Sequence, residues 1–377
     1  MPSQSNKTSA VGMYYFLLIL LAGLRVIITQ PKGCPAFFDC NSYLAMMQSI
    51  AYDPNIAGHH AMRVLPVLLA NGLSYLGFSD EMAFRILSGG GYVAFGVLLF
   101  WFFQKCSLKS WVAFGFTLLC LAANEAIRIP LVLVYQTCDM FTYLFIILMF
   151  YCSLTRQTTS LFVLSMLSIL TRQNLLILGV ASLLYCYSQT KQRRVFFYTA
   201  VLITAYSFLQ SYYHATSTFT ALLQPPAGFF TFSHLWFVVI DSKVLELFVP
   251  LLPFLLLYAK SMIQLMLRYW HLTLYMAITI GQPFLGYHMT GNNFARIALQ
   301  GVIGLYLLAG MASAQYQWSK AQIMLFLGYA LLIYTTWGIT YRLGIMVLFS
   351  VVFVWMLFKQ HRQSSSLLSS NIQRLNA

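Results

Sequence analysis

Negative charge is scarce in this sequence. Only 8 of its 377 residues are Asp or Glu, against 22 Lys and Arg, so the formal net charge is +14. Charged residues of both signs make up 8% of the chain, whereas 60% is hydrophobic and the mean hydropathy is +0.74. Soluble domains carry about 25% charged residues. The composition therefore excludes a soluble fold and predicts an integral membrane protein.

Sequence motifs of soluble nucleotide and hydrolase chemistry are missing as well. The chain has no Walker P-loop, no dinucleotide glycine fingerprint, no His-Glu-x-x-His and no Gly-x-Ser-x-Gly. Without a P-loop, the chain has no recognisable site for coupling ATP hydrolysis to transport. No repeat of fixed period and no pair of matching broken helices is visible, which argues against an inverted-repeat transporter.

Apolar segments recur along the whole chain. A bilayer needs about 20 apolar residues per helix, and polar breaks separate about 12 candidate segments, within a range of about 10–13. These predicted spans are 12–29, 84–103, 111–124, 134–152, 160–171, 173–188, 195–212, 243–258, 272–286, 297–312, 322–338 and 343–358. The pair around residue 172 reads either as two short spans or as one broken span. The sequence thus predicts an all-α polytopic membrane protein with one transmembrane domain over 1–377.

The distribution of charge predicts the orientation of the chain. Counting spans from a cytoplasmic Lys7, the inner loops collect Lys105, Lys109, Arg156, Lys191, Arg193, Arg194, Lys260, Arg268, Lys320, Lys359, Arg362 and Arg374. The carboxylates fall at or near the outer ends, as Asp39, Asp53, Asp80, Glu81, Glu125, Asp139, Asp241 and Glu246. Basic residues gather in cytoplasmic loops. Both termini are therefore expected in the cytoplasm, with the functional face outside it.

This orientation also bears on partners and on location. The positive charge is explained by topology and gives little support to nucleic-acid binding, so membrane lipid is the expected neighbour of the inner face. The short chain and minimal tails favour a bacterial inner membrane. Residues 364–377 are polar and are expected to form a mobile cytoplasmic tail.

Two outer loops are long enough to carry function. The first, 30–83, contains the amphipathic stretches Tyr43–Ala51 and Val64–Tyr75, which we expect to lie on the membrane surface. The second, 213–242, is the other sizeable extracytoplasmic loop. Cys34 and Cys40 share the first loop, and the sequence leaves a disulfide between them open.

Asp39 is the first candidate for chemistry. It follows two phenylalanines close to the membrane interface, where a carboxylate is costly to place. It suits a general base for an acceptor hydroxyl or a ligand of a cation. The alternative is a solvated acid that caps the helix predicted from Tyr43.

Arg63 opens the second amphipathic stretch, where its guanidinium can clamp a phosphate bidentately or simply extend to the headgroup region. His59 and His60 precede it and can donate to a phosphate or titrate. Two adjacent histidines without other metal-type residues are weak evidence for a metal.

Further polar residues lie at the outer ends of later spans. Glu125, Arg128 and Asp139 are close in sequence, and Asp139 enters the membrane directly, so it needs a cationic partner. Arg128 and Arg172 are the two candidates. Arg172 interrupts an apolar run and Arg296 begins a span, and both suit an anionic ligand such as a phosphate.

These residues resemble the GT-C superfamily of integral membrane glycosyltransferases, which use lipid-phosphosugar donors. The similarity lies in Asp39-Cys40-Asn41-Ser42-Tyr43-Leu44 after the first span, in Arg63-Val64-Leu65-Pro66 opening a surface helix, and in Thr171-Arg172-Gln173-Asn174. Gln173 stands where an acid is common in that group, so no metal or acid role is assigned to this turn. The motifs cover about the first 190 residues. Beyond them the likeness rests on span number and the position of Arg296.

The resemblance implies an inverting sugar transfer from a polyprenyl-phosphate donor to a glycan, lipid or protein acceptor. Asp39 would be the general base. Arg63, Arg172 and Arg296 would offset charge on the departing phosphate. Tyr43 would offer a stacking surface for sugar. Some members use a divalent metal, whereas here the acids near Asp39 are too few to argue for one and no cofactor is firmly implied.

Three alternatives to a glycosyltransferase stay open from the sequence. A glycopolymer polymerase or a lipid-linked oligosaccharide flippase also has about a dozen spans and outer arginines, although polymerases tend to carry their large outer loop later in the chain. A secondary transporter needs ionisable residues well inside the spans, and Arg25 is the main one here. A purely structural role is the third alternative.

Overall fold

The computed structural model describes residues 4–32, 40–122, 125–215, 236, 238, 244–285, 294–314, 318–336 and 342–357. The regular structure in this part of the chain is helical, without a strand. The prediction of an all-α membrane protein with several spans is confirmed at this level. Most of the second loop, 213–242, and the whole tail, 364–377, lie outside the described residues.

The helices of the first half include three short ones in the first loop. They are α1 (Gln4–Ile28), α2 (Cys40–Gln48), α3 (Gly58–Ala61), α4 (Val64–Tyr75), α5 (Asp80–Lys105), α6 (Ser110–Leu121), α7 (Glu125–Val132), α8 (Thr137–Leu154) and α9 (Thr158–Ile169).

The second half continues with helices of unequal length. They are α10 (Leu175–Thr190), α11 (Arg194–Tyr212), α12 (Leu252–Leu257), α13 (Ala259–Arg268), α14 (Trp270–Gly281), α15 (Phe294–Ser313), α16 (Lys320–Thr335) and α17 (Arg342–Leu357).

Five of the described helices are long and apolar enough to cross a membrane. They are Val11–Ile28, Asp80–Lys105, Val134–Leu154, Arg194–Tyr212 and Phe294–Ser313. A sixth follows if the bent pair Leu245–Leu257 and Ala259–Arg268, which turns by 103°, counts as one span. Six shorter apolar helices of 10–17 residues lie within the described residues. Five predicted spans thus coincide with these long helices and one, 243–258, overlaps the bent pair, whereas the described helices at the other six predicted spans have only 12–16 residues.

The polar break at residue 172 separates two helices packed side by side. Gly179 of α10 lies so close to α9 that an added Cβ would sit 3.0 Å from the Cβ of Ser165. These two positions are equally far from Arg172, so α9 and α10 form an antiparallel hairpin. The reading of this region as a single broken span is excluded.

The centre of the molecule is built on α15, which is buried along almost its whole length. It packs tightly on α14, where a Cβ at Gly301 would meet the backbone oxygen of Met276 at 3.0 Å. On another side of the core, a Cβ at Gly91 of α5 would lie 3.0 Å from Met140 of α8. Because these contacts bring the helices close together, the polar ends of α8, α10 and α15 can meet.

The first loop packs on the ends of these helices. The Leu65 backbone N–H, in α4, donates to the Leu170 carbonyl at the tip of the α9–α10 hairpin, at 3.0 Å. The Tyr213 hydroxyl, just after α11, donates to the Ile50 carbonyl at 2.9 Å. Cys40 is disulfide-bonded, and its expected partner Cys34 lies outside the described residues. The loop is thus tied to two helix ends.

Candidate functional site

Asp139 is the centre of a polar cluster beneath the first loop. It lies in the first turn of α8, with none of its surface exposed. Its Oδ2 accepts a hydrogen bond from Arg296 Nε at 2.6 Å, and its Oδ1 accepts one from Arg172 Nη1. A buried carboxylate needs charged partners. The positive end of the α8 dipole also favours a carboxylate here.

Arg296 comes from the first turn of α15 and is only 3% exposed. Its Nη2 lies 2.6 Å from Asp139 Oδ2 and donates to Gln136 Oε1, also at 2.6 Å. A cation at a helix N-terminus is disfavoured by the helix dipole. The contacts with Asp139 and Gln136 compensate for that position and fix the guanidinium in one orientation.

Arg172 lies at the tip of the α9–α10 hairpin. Its side chain is 11% exposed, against 3% for that of Arg296. With the Gln300 amide oriented to satisfy its neighbours, Gln300 Oε1 accepts from Arg172 Nε and Nη1 at 3.1 Å each. Gln300 is fully buried on α15. The hairpin tip is therefore held by polar contacts to both α8 and α15.

Arg63 reaches the same region from the first loop, where it directly precedes α4. Its Nη1 donates to the Tyr43 hydroxyl at 2.6 Å and lies 3.9 Å from Cys138 Sγ. Cys138 Sγ is in turn 4.0 Å from Asp139 Oδ1. The charges of Arg63 and Arg172 lie close enough to repel each other. Arg63, Arg172, Arg296 and Asp139 thus form one arrangement, which we call the arginine cluster.

The arginine cluster is rich in positive charge. Three guanidinium groups lie around the Asp139 carboxylate, and Asp39, the acid predicted nearby, lies outside the described residues. Two of the three, Arg63 and Arg172, are partly accessible. Excess cations in a partly enclosed site attract an anion. Guanidinium groups bind carboxylate or phosphate oxygens in pairs.

The surroundings of Tyr43 differ from what the family resemblance implies. Tyr43 is 2% exposed, so its ring offers no free face to a sugar. Its hydroxyl instead accepts the hydrogen bond from Arg63. The ring of His60 lies 6.0 Å from that of Tyr43, and the exposed His59 lies 3.9 Å from His60. In this structure Tyr43 holds Arg63 in place.

Only some of the other predicted polar residues contact the arginine cluster. Of the two arginines considered as partners of Asp139, Arg172 contacts it, and Arg296 is a second partner that the sequence did not suggest. Within the described residues Arg128 forms no ion pair with Asp139. The side chain of Glu125 lies outside the described residues.

Several residues of the site were not predicted from the sequence. Gln136, Cys138 and Gln300 all contact an arginine of the cluster. Gln300 carries a usable signal, because it is a polar residue inside the apolar run 297–312 and such residues need a buried partner. Gln136 and Cys138 flank Asp139 too closely in sequence to stand out.

A second buried ion pair lies away from the cluster. Arg342, at the start of α17, has its Nη1 at 3.8 Å from Glu246 Oε2, and its Nη2 donates to the Ala122 carbonyl at the end of α6. Arg342 is 3% exposed. This pair joins three helix ends and has no accessible cation of the kind found in the arginine cluster.

The described residues do not offer a metal site. No group of three His, Cys, Asp or Glu side chains in the described ranges is arranged to hold a metal ion. Comparison of the chain with protein-family models, with curated proteins and with solved structures finds no match. Function is therefore argued from the site alone.

Proposed function

We propose that this protein is a membrane glycosyltransferase, which transfers a sugar from a polyprenyl-phosphate donor to an extracytoplasmic acceptor in envelope synthesis. The observation that carries the proposal is that Arg172 and Arg296 both bind the buried carboxylate of Asp139, with Arg63 close by at 3.9 Å from Cys138 Sγ. Glycan, lipid and protein acceptors all supply the hydroxyl or amide nucleophile that the reaction needs.

The unequal accessibility of the arginines suits a phosphate leaving group. Arg63 and Arg172 are partly exposed, while Arg296 is enclosed. Negative charge grows on the phosphate as the glycosidic bond breaks. Fixed cations in a site of low dielectric constant stabilise such charge without having to reorganise. Arg63 and Arg172 would therefore contact the phosphate, and Arg296 would keep Asp139 ionised and oriented.

Asp39 is proposed as the general base because of its position in the sequence. Asp39 directly precedes Cys40, the first residue of α2, and Tyr43 of the same helix holds Arg63. Helix α2, which Asp39 directly precedes in the sequence, is thereby anchored next to the cluster. A carboxylate there would take the proton from the acceptor as it attacks the sugar carbon, which inverts the configuration.

The proposed topology has twelve crossings with both termini in the cytoplasm of a bacterial inner membrane. Contacts between distant helices support it, since they join ends that the count assigns to one side. Arg25 Nη2 donates to the Tyr334 carbonyl at 2.7 Å, at the outer ends of the first and eleventh spans. Ser153 Oγ lies 2.9 Å from His271 Nε2, where the fourth span ends and the ninth begins.

The proposal is tested by sugar transfer in membranes. A radiolabelled polyprenyl-phosphate-sugar pool is supplied to membranes that carry the wild-type chain, Asp39→Asn or Arg172→Gln at matched expression. We expect Asp39→Asn to reduce transfer about 100-fold or more, in line with the usual contribution of a general base. Arg172→Gln should reduce it to a similar extent through lost charge stabilisation.

The matched control for this assay is Lys109→Gln, which removes one exposed cation from the opposite end of the molecule. It should transfer sugar at the wild-type rate. Equal transfer in wild type and Asp39→Asn, or no transfer by the wild type, would overturn the glycosyltransferase assignment. The second result would move the assignment toward a polymerase, a flippase or a transporter.

A further inference from the structure

The end of the molecule opposite the arginine cluster carries a second group of converging cations. Helix α8 runs between the two ends, from Asp139 in its first turn to Arg156 just beyond its last residue. Its 18 residues span about 27 Å, close to the thickness of a bilayer core. A site at the Arg156 end is therefore separate from the arginine cluster.

Helix α13 lies at this opposite end and divides into three strips. Met262 and Leu265 are buried against the protein, whereas Ile263 and Leu267 are 57% and 74% exposed. The remaining strip is polar and exposed, and it includes Lys260, Gln264 and Arg268. The helix turns by 103° from the segment before it. An exposed apolar strip beside a basic one is typical of a helix that lies along a membrane surface.

Two arginines from distant parts of the sequence lie at this end of the molecule. Arg268 ends α13, and Arg156 lies in the turn between α8 and α9, with a left-handed φ of 58°. The segments that carry them are in contact, because Ser153 Oγ, three residues before Arg156, lies 2.9 Å from Nε2 of His271, three residues after Arg268. Arg268 also lies over the ring of Tyr269, 5.5 Å from its centroid. The contact between the two segments places both cations in one region of this end.

No carboxylate neutralises this pair among the residues that the structure describes. Arg156 and Arg268 are both exposed, and neither is part of an ion pair there. Leu267 and Trp270, which is 40% exposed, place apolar surface beside them. A phosphate would satisfy the two guanidinium groups. The apolar surface would suit the acyl chains attached to such a phosphate.

We propose that Arg156 and Arg268 bind the phosphate headgroup of an anionic phospholipid, in the leaflet opposite the arginine cluster. Leu267 and Trp270 line the path of its acyl chains. The lipid is chosen over a free phosphate because a soluble anion would gain nothing from the exposed apolar strip of α13. This site does not depend on the glycosyltransferase proposal, because it needs only the two ends of α8 on opposite membrane faces.

Native mass spectrometry of the full-length protein tests the site. The protein is purified in a nonionic detergent and offered equal amounts of phosphatidylglycerol and phosphatidylcholine with the same acyl chains. The wild type should retain phosphatidylglycerol in preference. The double variant Arg156→Gln/Arg268→Gln should lose at least about tenfold of that preference, because each basic residue near the surface contributes measurably to anionic-lipid binding. Both side chains are exposed, so the core packing is unaffected.

The control is the double variant Lys105→Gln/Lys109→Gln, which removes two exposed cations elsewhere on the same face. It should keep the wild-type preference. The proposal is overturned if the control loses as much preference as the arginine variant, or if the arginine variant retains it. It is also overturned if excess inorganic phosphate displaces the lipid from the wild type, because the site would then recognise a free anion.

Discussion

The two arginines that hold Asp139 differ in what else they contact. Arg296 is 3% exposed and divides its donors between Asp139 and Gln136. Arg172 is 11% exposed and lies at a hairpin tip. A buried guanidinium with all its contacts inside the protein binds only its neighbours, whereas a partly exposed arginine can also bind a ligand. The carboxylate of Asp139 links the two and lets three like charges lie close together.

Replacing Asp139 by Asn should therefore destabilise the protein strongly. The amide has no charge, so Arg172 and Arg296 would lose their counter-ion inside the protein. Breaking a buried ion pair in this way costs about 3–5 kcal/mol. Thermal unfolding of the purified protein in detergent measures the effect as a large drop in Tm.

Asp53→Asn is the matched control for the Asp139 variant. Asp53 lies in the first loop, and its Oδ1 accepts from the Asn55 backbone N–H at 2.8 Å, a hydrogen bond that an amide oxygen can replace. Its unfolding temperature should stay at the wild-type value. An Asp139→Asn protein that unfolds at the wild-type temperature would contradict the role given to this carboxylate.

Tyr43→Phe separates two roles for this residue. The variant keeps the ring but removes the hydroxyl that accepts the hydrogen bond from Arg63. If Tyr43 positions Arg63, sugar transfer should fall about tenfold or more, since a hydrogen bond to a charged group contributes about 1.5–3 kcal/mol net. If Tyr43 acts by stacking on sugar, transfer should be unchanged. The same assay on Tyr52→Phe, whose ring is exposed, gives the control.

Much of the arginine cluster could be predicted from the sequence, because each arginine stands out locally. Arg63, Arg172 and Arg296 are all cations at the end of an apolar run, where an isolated charge needs a reason. The pairing of Arg296 with Asp139 could not be predicted, since it joins residues 157 positions apart through helix packing. The orientation of Tyr43 could not be predicted for the same reason. A tyrosine near an aspartate in the sequence does not indicate whether its ring is buried or exposed.

Helices α14 and α15 approach each other closely at Gly301. Gly301 allows it, because a Cβ there would overlap Thr279 Oγ1 and come within 3.0 Å of the Met276 carbonyl oxygen. Backbone atoms cannot move aside as a flexible side chain can. The pairing of these helices therefore rests on the absence of a side chain at this position.

Gly301→Ala should accordingly destabilise the protein by about 1–3 kcal/mol, the usual cost of overpacking a core. Gly328→Ala is the control, because Gly328 of α16 has no heavy atom within 4 Å of the position that a Cβ would take. It should be neutral or stabilising by about 1 kcal/mol, as alanine favours the helix. Chemical unfolding of both variants in one detergent decides the point. An equal response of the two would contradict the close packing.

The helical class could be predicted better than the lengths of the helices. Hydropathy and polar breaks locate the five long apolar helices, because a bilayer imposes the same requirement on each. The short α9 and α10 could not be told from one broken span. Whether a hairpin or a broken span forms depends on whether Gly179 can pack against α9. This is a tertiary contact, which the local sequence does not indicate.

Across the whole molecule, the charge distribution predicts which loops face each compartment. Ser49→Cys in the first loop and Lys109→Cys at the opposite end introduce exposed thiols on the two sides. A membrane-impermeant maleimide added to intact spheroplasts should label Ser49→Cys directly. It should label Lys109→Cys only after permeabilisation. The reverse pattern would invert the proposed topology.

The native cysteines should contribute little background to this experiment. Burial raises the pKa of the Cys106 thiol, just beyond α5, to about 12. Because the thiolate is the reactive form, and its fraction falls tenfold for each pH unit below the pKa, Cys106 is nearly unreactive at neutral pH. Raising the pH should increase its labelling. Rapid labelling of the wild type at pH 7 would show that this thiol is less buried than described.

The hydrogen bond between the Leu65 N–H and the Leu170 carbonyl has a consequence for how a ligand arrives. Arg63 stands two residues before one partner and Arg172 two residues after the other, so this bond sets the spacing of two cations. A ligand that separated the first loop from the hairpin would also move Arg63 away from Arg172. Entry in the plane of the bilayer, between helices, would leave this spacing intact. Under the proposed function, such a route suits a donor that its own lipid tail already holds in the membrane.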